Sequence, residues 1–162
     1  MDWSRTLAEL HPRSLTTIFD LSNRCNLRCR QCYFSYDSVF HRPPVAFGLE
    51  GFARLAEELL PRSKTVFLSA ATEPLVAPSF LRILEITAGY HPIEIKLLTN
   101  ATLLTDAVAD ALVRHATAEV QISIDGATAR TFEQIRRGAR FDDVLRNVAR
   151  LTDAKRRLGA TA

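Results

Sequence analysis

Along this chain, segments with the strand-like spacing of hydrophobic and polar residues take turns with segments that have the helical spacing. From Thr16 to Leu21 hydrophobic and polar residues alternate among β-forming residues, which predicts a first strand from about Leu15 to Leu21. From Leu49 to Leu59 apolar residues recur every three or four positions until Pro61, which predicts a helix. The same reasoning predicts three more strand–helix pairs. The strands lie at 65–69, 93–99 and 119–124. The helices begin at Pro78, at Leu104 or Thr105, and at about Thr128, and the last has a break at Gly138.

Four strand–helix units in series predict an α/β fold. Strands separated by crossover helices pair in parallel. Because even a small closed barrel needs about eight strands, we expect a partial parallel (β/α) barrel of about four units. We assign residues 1–14 to an N-terminal extension and residues 15–162 to the core, which we predict to be incomplete at its C-terminal end. The second long helix carries apolar residues at Leu81, Leu84 and Ile86.

Polar or metal-binding residues follow every predicted strand at its carboxyl end. They are Cys25 to Cys32, Thr72-Glu73, Thr99-Asn100 and Ser123 to Gly126, in strand order. The carboxyl ends of parallel strands meet at one rim, where ligands of open α/β sheets and barrels bind. We therefore expect a single functional site at this rim.

The three cysteines of the chain, Cys25, Cys29 and Cys32, lie within eight residues. An odd number of neighbouring cysteines is a poor disulfide framework, and a metal role in a reducing compartment fits them better. Three thiolates can hold one face of a cubic iron–sulfur cluster and leave the fourth iron open for small-molecule chemistry. The alternative is a structural zinc site with His41 as the fourth ligand.

Charge and composition exclude some classes of function. The 162 residues carry a net charge of +3 and no apolar run long enough to span a membrane. The polar N-terminus lacks the apolar centre of a signal peptide, so a cytoplasmic location is expected. Basic residues cluster near the end of the chain, but a solvated helix face explains them, and nucleic-acid binding is unlikely. Arg24, Arg28 and Arg30 either lower the pKa of the neighbouring thiols or form a solvated basic loop.

Three segments together resemble the radical S-adenosylmethionine (radical SAM) superfamily. They are Cys25-x3-Cys29-x2-Cys32, LLTNATLLT at 97–105 and QISIDGATARTFEQIRRGARFDDVLRNVARL at 121–151. The last is similar to peptide-modifying members that carry a C-terminal auxiliary-cluster (SPASM-type) domain. The resemblance implies a (β/α)6 partial barrel, with a [4Fe-4S] cluster on the three cysteines and S-adenosylmethionine on the fourth iron. It also implies reductive cleavage to a 5′-deoxyadenosyl radical that abstracts hydrogen from a substrate, with a peptide as the best guess.

The resemblance also implies partners and cofactor contacts. An electron donor such as flavodoxin or ferredoxin would reduce the cluster. Gln31 stands where the family commonly has an aromatic residue against the adenine, and Ala71-Thr72 replaces the two glycines of its Gly-Gly-Glu sequence. The backbone carbonyls of Ala71 and Thr72 are expected to receive the methionine amino group. Arg136 is the candidate for the cofactor carboxylate or ribose, with Arg137 and Arg130 as rivals.

Two further contacts with the cofactor that the resemblance implies are expected. Glu73 is expected to hold the cofactor ammonium, directly or by shaping its loop, or else to serve as a carboxylate at a helix N-terminus. Ser123 and Asp125 alternate with the apolar Val120, Ile122 and Ile124 and should face the interior of the barrel. We therefore predict Ser123 as a cofactor contact, whereas Asp125 is either a contact or a turn residue.

A second hypothesis comes from another class of protein. The edge exposed after the fourth strand, and Ala71-Thr72 in place of two glycines, are also what a catalytically incomplete module would have. Such a module, or one half of an assembly, would hold a cluster and offer a surface to a partner without cleaving the cofactor.

Overall fold

One sheet of four parallel strands forms the frame of the molecule. The structure is a computed structural model that describes residues 13–159. The strands lie in sequence order, β1-β2-β3-β4, and are β1 (Leu15–Ile18), β2 (Ser63–Phe67), β3 (Glu94–Thr99) and β4 (Glu119–Ile122). Each neighbouring pair is parallel. The predicted α/β fold with an open parallel sheet is confirmed.

Six α-helices accompany the strands in the described residues. They are α1 (Asp37–Phe40), α2 (Leu49–Leu59), α3 (Phe80–Ala88), α4 (Asp106–Arg114), α5 (Ala129–Ile135) and α6 (Phe141–Arg157). The break predicted at Gly138 lies between α5 and α6, where the glycine takes a φ of +98° that side chains rarely adopt. The single turn of α1 was not predicted, because four residues are too few to give a helical periodicity.

Several element boundaries differ from the sequence prediction; among them, β1 ends at Ile18 instead of Leu21, and β4 ends at Ile122 instead of Ile124. β2 begins two residues earlier than predicted, because Ser63 is buried and its hydroxyl bonds to Leu59 O at 2.8 Å and to Thr17 Oγ1 at 2.6 Å. Helix α3 begins at Phe80, not at Pro78. Of the apolar residues of α3, Leu84 is buried, whereas Leu81 is 40% exposed.

Two apolar clusters hold the elements together. The first fills the space between the sheet and helices α2, α3 and α4; its largest members include Phe52, Leu68, Ile83, Leu84, Ile95 and Leu97. The second joins the cysteine segment to helices α4, α5 and α6; it contains Leu27, Ala101, Leu104, Ala109, Phe132, Ala139, Val144 and Ala154. The cysteine segment is therefore anchored in a core of its own.

Most of the predicted N-terminal extension lies outside the described residues. Of residues 1–14, the structure describes Arg13 and Ser14. Arg13 donates to Pro92 O at 3.0 Å, and Ser14 N–H donates to Arg62 O at 3.2 Å. In the part of the chain that the structure describes, no helix is long and apolar enough to span a membrane.

Candidate functional site

A cleft of about 330 Å³ opens at the carboxyl ends of the four strands. All nine residues singled out by the sequence line it: Cys25, Cys29, Gln31, Cys32, Ala71, Thr72, Glu73, Ser123 and Arg136. Loops after all four strands thus meet at one site. Thr99, Asn100 and Asp125 of the predicted rim also line the cleft, together with four residues that the sequence analysis did not name, Phe34, Ala70, Leu98 and Ile135.

The cysteine segment is fixed by its backbone and by one apolar side chain. Arg28 N–H donates to Arg137 O at 3.1 Å, and Arg30 N–H donates to Ile135 O at 2.8 Å. Leu27 is buried in the second core cluster, where a side chain on Gly138 would contact it. These contacts hold the segment against the end of α5 while its thiols face the cleft.

The thiols of Cys25 and Cys29 lie in surroundings that favour their protonated form. Burial raises the pKa of Cys25 to about 11. Burial also raises the pKa of Cys29, although the Arg136 guanidinium, whose Nη1 lies 4.0 Å from Cys29 Sγ, opposes the shift. Metal binding would therefore have to release protons from these thiols.

Arg24 and Arg28 bind the segment that follows the cysteines. Arg24 donates to Phe40 O at 2.7 Å, and Arg28 pairs with Asp37 at 2.6 Å. Both guanidinium groups also lie over the Phe40 ring. These two arginines stabilise the segment that follows the cysteines, and the pKa of Cys29 responds to Arg136 instead.

Glu73 connects three loops of the rim. It is 2% exposed, and its carboxylate accepts hydrogen bonds from Thr99 Oγ1 at 2.7 Å, Asn100 N at 2.8 Å and Leu75 N at 3.2 Å. Its own N–H donates to Arg24 O at 3.0 Å. Burial raises the pKa of Glu73, and the three hydrogen bonds act against that rise. The geometry fits a role in shaping the loop, while Oε2, with one protein donor, has capacity for another.

Arg136 is distinguished from its two rivals by position. Its side chain is 15% exposed, lines the cleft and pairs with Asp125 at 2.8 Å. Arg137 is exposed and lies with Arg28 in a separate groove behind the cysteine segment, and Arg130 is exposed. Asp125, left open between contact and turn residue, both lines the cleft and orients Arg136.

Asp20 is the residue that sequence reasoning missed. Its Oδ1 accepts hydrogen bonds from the N–H groups of Ala70, Ala71 and Thr72. One signal was present in the sequence, because Asp20 continues the alternation of Thr16 and Ile18 to the end of the first strand, as Ser123 does on the fourth.

Among the residues that the structure describes, the zinc alternative lacks its fourth ligand. His41 has a 69% exposed side chain that lies 3.8 Å from Asp37, and it is not among the residues lining the cleft. Within residues 13–159, no three His, Cys, Asp or Glu side chains converge on a position for one ion. The three thiolates of a cubic cluster lie further apart than the ligands of a single ion, because each thiolate binds a different iron.

The donors of the cleft fit a cluster with an open iron and a sulfonium nucleoside. Three thiols are free and share the cleft, and no other cysteine exists in the chain. A carboxylate, a guanidinium, a hydroxyl and backbone groups surround them, which suits a ligand that carries both an ammonium and a carboxylate. Cys25, Cys29 and Cys32 would hold the iron, and the remaining groups would hold the nucleoside.

Comparison with known proteins identifies the class. The radical SAM superfamily pattern matches residues 20–161, so the chain belongs to that superfamily. Members use a [4Fe-4S] cluster and S-adenosylmethionine. The chain is 30% identical over 137 residues to mycofactocin maturase MftC of Mycobacterium tuberculosis (strain CDC 1551 / Oshkosh). This match covers 84% of the chain and 34% of the relative. It is also 25% identical over 146 residues to GTP 3′,8-cyclase of Synechocystis sp. (strain ATCC 27184 / PCC 6803 / Kazusa). That match covers 90% of the chain and 44% of the relative.

A solved structure shares the fold. The structure of native anSMEcpe with bound AdoMet and Cp18Cys peptide superposes with a TM-score of 0.69 at 20% identity, covering 86% of this chain and 40% of that one. The predicted partial barrel is thereby confirmed. The chain spans between about a third and under a half of the length of the curated relatives it matches.

Proposed function

We propose that this chain is the cofactor-binding core of a radical SAM enzyme. The observation that carries the proposal is that the three cysteines and the six other residues chosen from the sequence line one cleft. When bound, the cluster would supply the one electron that breaks the C5′–S bond of S-adenosylmethionine, giving methionine and a 5′-deoxyadenosyl radical able to take hydrogen from a substrate.

The residues of the chain have distinct parts in this proposal. Cys25, Cys29 and Cys32 bind three irons. Glu73 fixes the loop that receives the methionine amino group, and Arg136 offers a cation to the methionine carboxylate or the ribose. The hydroxyl of Ser123 and the amide of Gln31 contact the nucleoside. The apolar side chains of Phe34, Leu98 and Ile135 limit the access of water to the cleft. A carbon radical requires such a dry site.

A peptide is the substrate class to test first. Its support is the likeness to mycofactocin maturase and to anSMEcpe, which was solved with a bound peptide. The electron would come from a carrier such as flavodoxin or ferredoxin. A reducing compartment, which we take to be the cytoplasm, suits three free thiols.

The test is reconstitution of the chain with iron and sulfide in the absence of oxygen. Loaded protein should absorb broadly at roughly 400 nm, where thiolate–iron charge transfer occurs. Cys29→Ala should lose this absorption, and with dithionite and S-adenosylmethionine the wild type should release 5′-deoxyadenosine. Equal iron in a variant with all three cysteines replaced by alanine would refute the cluster.

The second candidate is a cluster-binding module that does not cleave the cofactor. It is favoured by the free edge of β4, which has no second strand neighbour among the described residues. The same assay separates the two candidates. A fully loaded cluster that yields no 5′-deoxyadenosine with dithionite would identify the module.

A further inference from the structure

One carboxylate oxygen of Asp20 accepts hydrogen bonds from several backbone groups of the loop after β2. Its Oδ1 accepts from Ala70 N at 3.2 Å, Ala71 N at 3.1 Å and Thr72 N at 3.2 Å. Two hydroxyls join them, Thr72 Oγ1 at 3.0 Å and Ser69 Oγ at 3.3 Å. Successive N–H groups that converge in this way form a concave anion site, and here the anion is a side chain of the same protein.

The hydrogen bonds to Asp20 fix the direction of the carbonyl groups. In a trans peptide unit, N–H and C=O point in opposite directions. With the N–H groups of Ala70, Ala71 and Thr72 turned toward Asp20, the carbonyls of Ser69, Ala70 and Ala71 are turned away from it. Ala70 and Ala71 line the cofactor cleft, whereas Asp20 lines a neighbouring cleft of about 600 Å³ on the other side of the loop.

Within the loop, the buried Ser69 Oγ donates to Thr72 O at 2.6 Å. Ala70, Ala71 and Thr72 have the conformational freedom of ordinary residues. Tyr33 adds one restraint from the cysteine side, because its hydroxyl donates to Ala71 O at 3.1 Å. Burial raises the pKa of Asp20, but the hydrogen bonds from Ala71, Ala70 and Thr72 outweigh it and the pKa is lowered, so the group is a carboxylate at neutral pH.

We propose that Asp20 is a positioning residue for S-adenosylmethionine. Its carboxylate holds the Ala70–Thr72 loop so that backbone carbonyls face the amino group of the cofactor. The inference rests on the proposed function. Because Asp20 is exposed, water can replace its oxygen in a variant, so removal should free the loop without unfolding the protein.

The experiment measures ligand affinity in the cluster-loaded full chain. Asp20→Ala should weaken S-adenosylmethionine binding by about tenfold, because charge-assisted hydrogen bonds that orient the loop are lost. Asp20→Asn keeps an accepting oxygen and should recover affinity to within about threefold of the wild type. The matched control is Asp153→Ala, which removes an exposed carboxylate paired with Arg156 and should change nothing.

A second ligand separates positioning from general structural damage. 5′-Methylthioadenosine has the nucleoside but no amino acid, so it does not use the loop carbonyls. Its affinity in Asp20→Ala should stay within about twofold of the wild type, with iron content unchanged. Equal loss for both ligands, or unchanged S-adenosylmethionine binding in Asp20→Ala, would overturn the inference. A wild type that binds a cluster but no S-adenosylmethionine would instead refute the proposed function.

Discussion

Glu73 shows at the residue scale how one buried carboxylate can organise the loops of a site. Three donors from two loops reach its two oxygens, and the side chain is withdrawn from solvent. A buried polar group of this kind stabilises the fold only while each partner is satisfied. Its removal is therefore expected to affect the frame of the cleft before it affects any chemistry.

Glu73→Gln should destabilise the protein that has not been loaded with iron by roughly 1–3 kcal/mol. The amide NH2 must face either Asn100 N–H or the Thr99 and Leu75 donors, so at least one buried donor loses its acceptor. The measurement is the free energy of unfolding in urea. Glu58→Gln, on the exposed face of α2, is the control and should unfold at the wild-type urea concentration. Equal stability of both variants would contradict this account.

Residues whose chemistry is local were predictable from the sequence, and those that act through distant backbone were not. The cysteines and Ser123 could be placed because their spacing or alternation fixes where they point. Asp20 could not, because it acts on N–H groups about fifty positions away along the chain. Nothing within the first strand indicates which loop will pass beside it.

At the scale of elements, the rim is assembled by helix ends as much as by strands. Helix α5 ends where Arg136 reaches Asp125, and the backbone just beyond it accepts hydrogen bonds from the cysteine segment. The periodicity predicted that helix and its break at Gly138. The contact of its last turn with the cysteines was not predictable, because it depends on how tightly α5 packs against the loop after β4.

Gly126 controls that packing. A Cβ at this position would lie 2.6 Å from Phe132 N and 3.0 Å from Phe132 Cα, both backbone atoms of α5. Gly126→Ala must push the helix away and should cost about 1–3 kcal/mol in unfolding free energy. Because Arg136 follows α5, the variant should also bind iron less well on reconstitution.

A second Gly→Ala change gives a control of opposite sign. Gly51 lies within α2, and a Cβ there meets only the Phe47 ring at 3.8 Å, an ordinary contact. Gly51→Ala should stabilise the protein by about 0.5–1 kcal/mol through helix propensity. Urea unfolding of both variants checks the pair. A Gly126→Ala protein as stable as the wild type would show that α5 does not depend on this close approach.

For the whole molecule, protein, cluster and nucleoside should form one linked equilibrium. The four loops reach the cleft from separate strands, so a ligand that touches all of them links the elements that carry them. Without iron, the cleft offers no metal to the amino acid part of the cofactor. Burial raises the pKa of Cys25 and Cys29 and so favours their neutral thiols. The chain should therefore bind S-adenosylmethionine tightly only after the cluster is in place.

Thermal unfolding measures this linkage directly. A ligand at about 100 times its Kd stabilises the folded state by about 2.7 kcal/mol, which for a chain of this size corresponds to a rise in Tm of about 5–10 °C. We expect that rise for S-adenosylmethionine added to the loaded wild type, and none for the iron-free wild type or for Cys29→Ala. An equal rise in the iron-free protein would mean that the cleft recognises the nucleoside through its own residues and that the open iron is not the anchor.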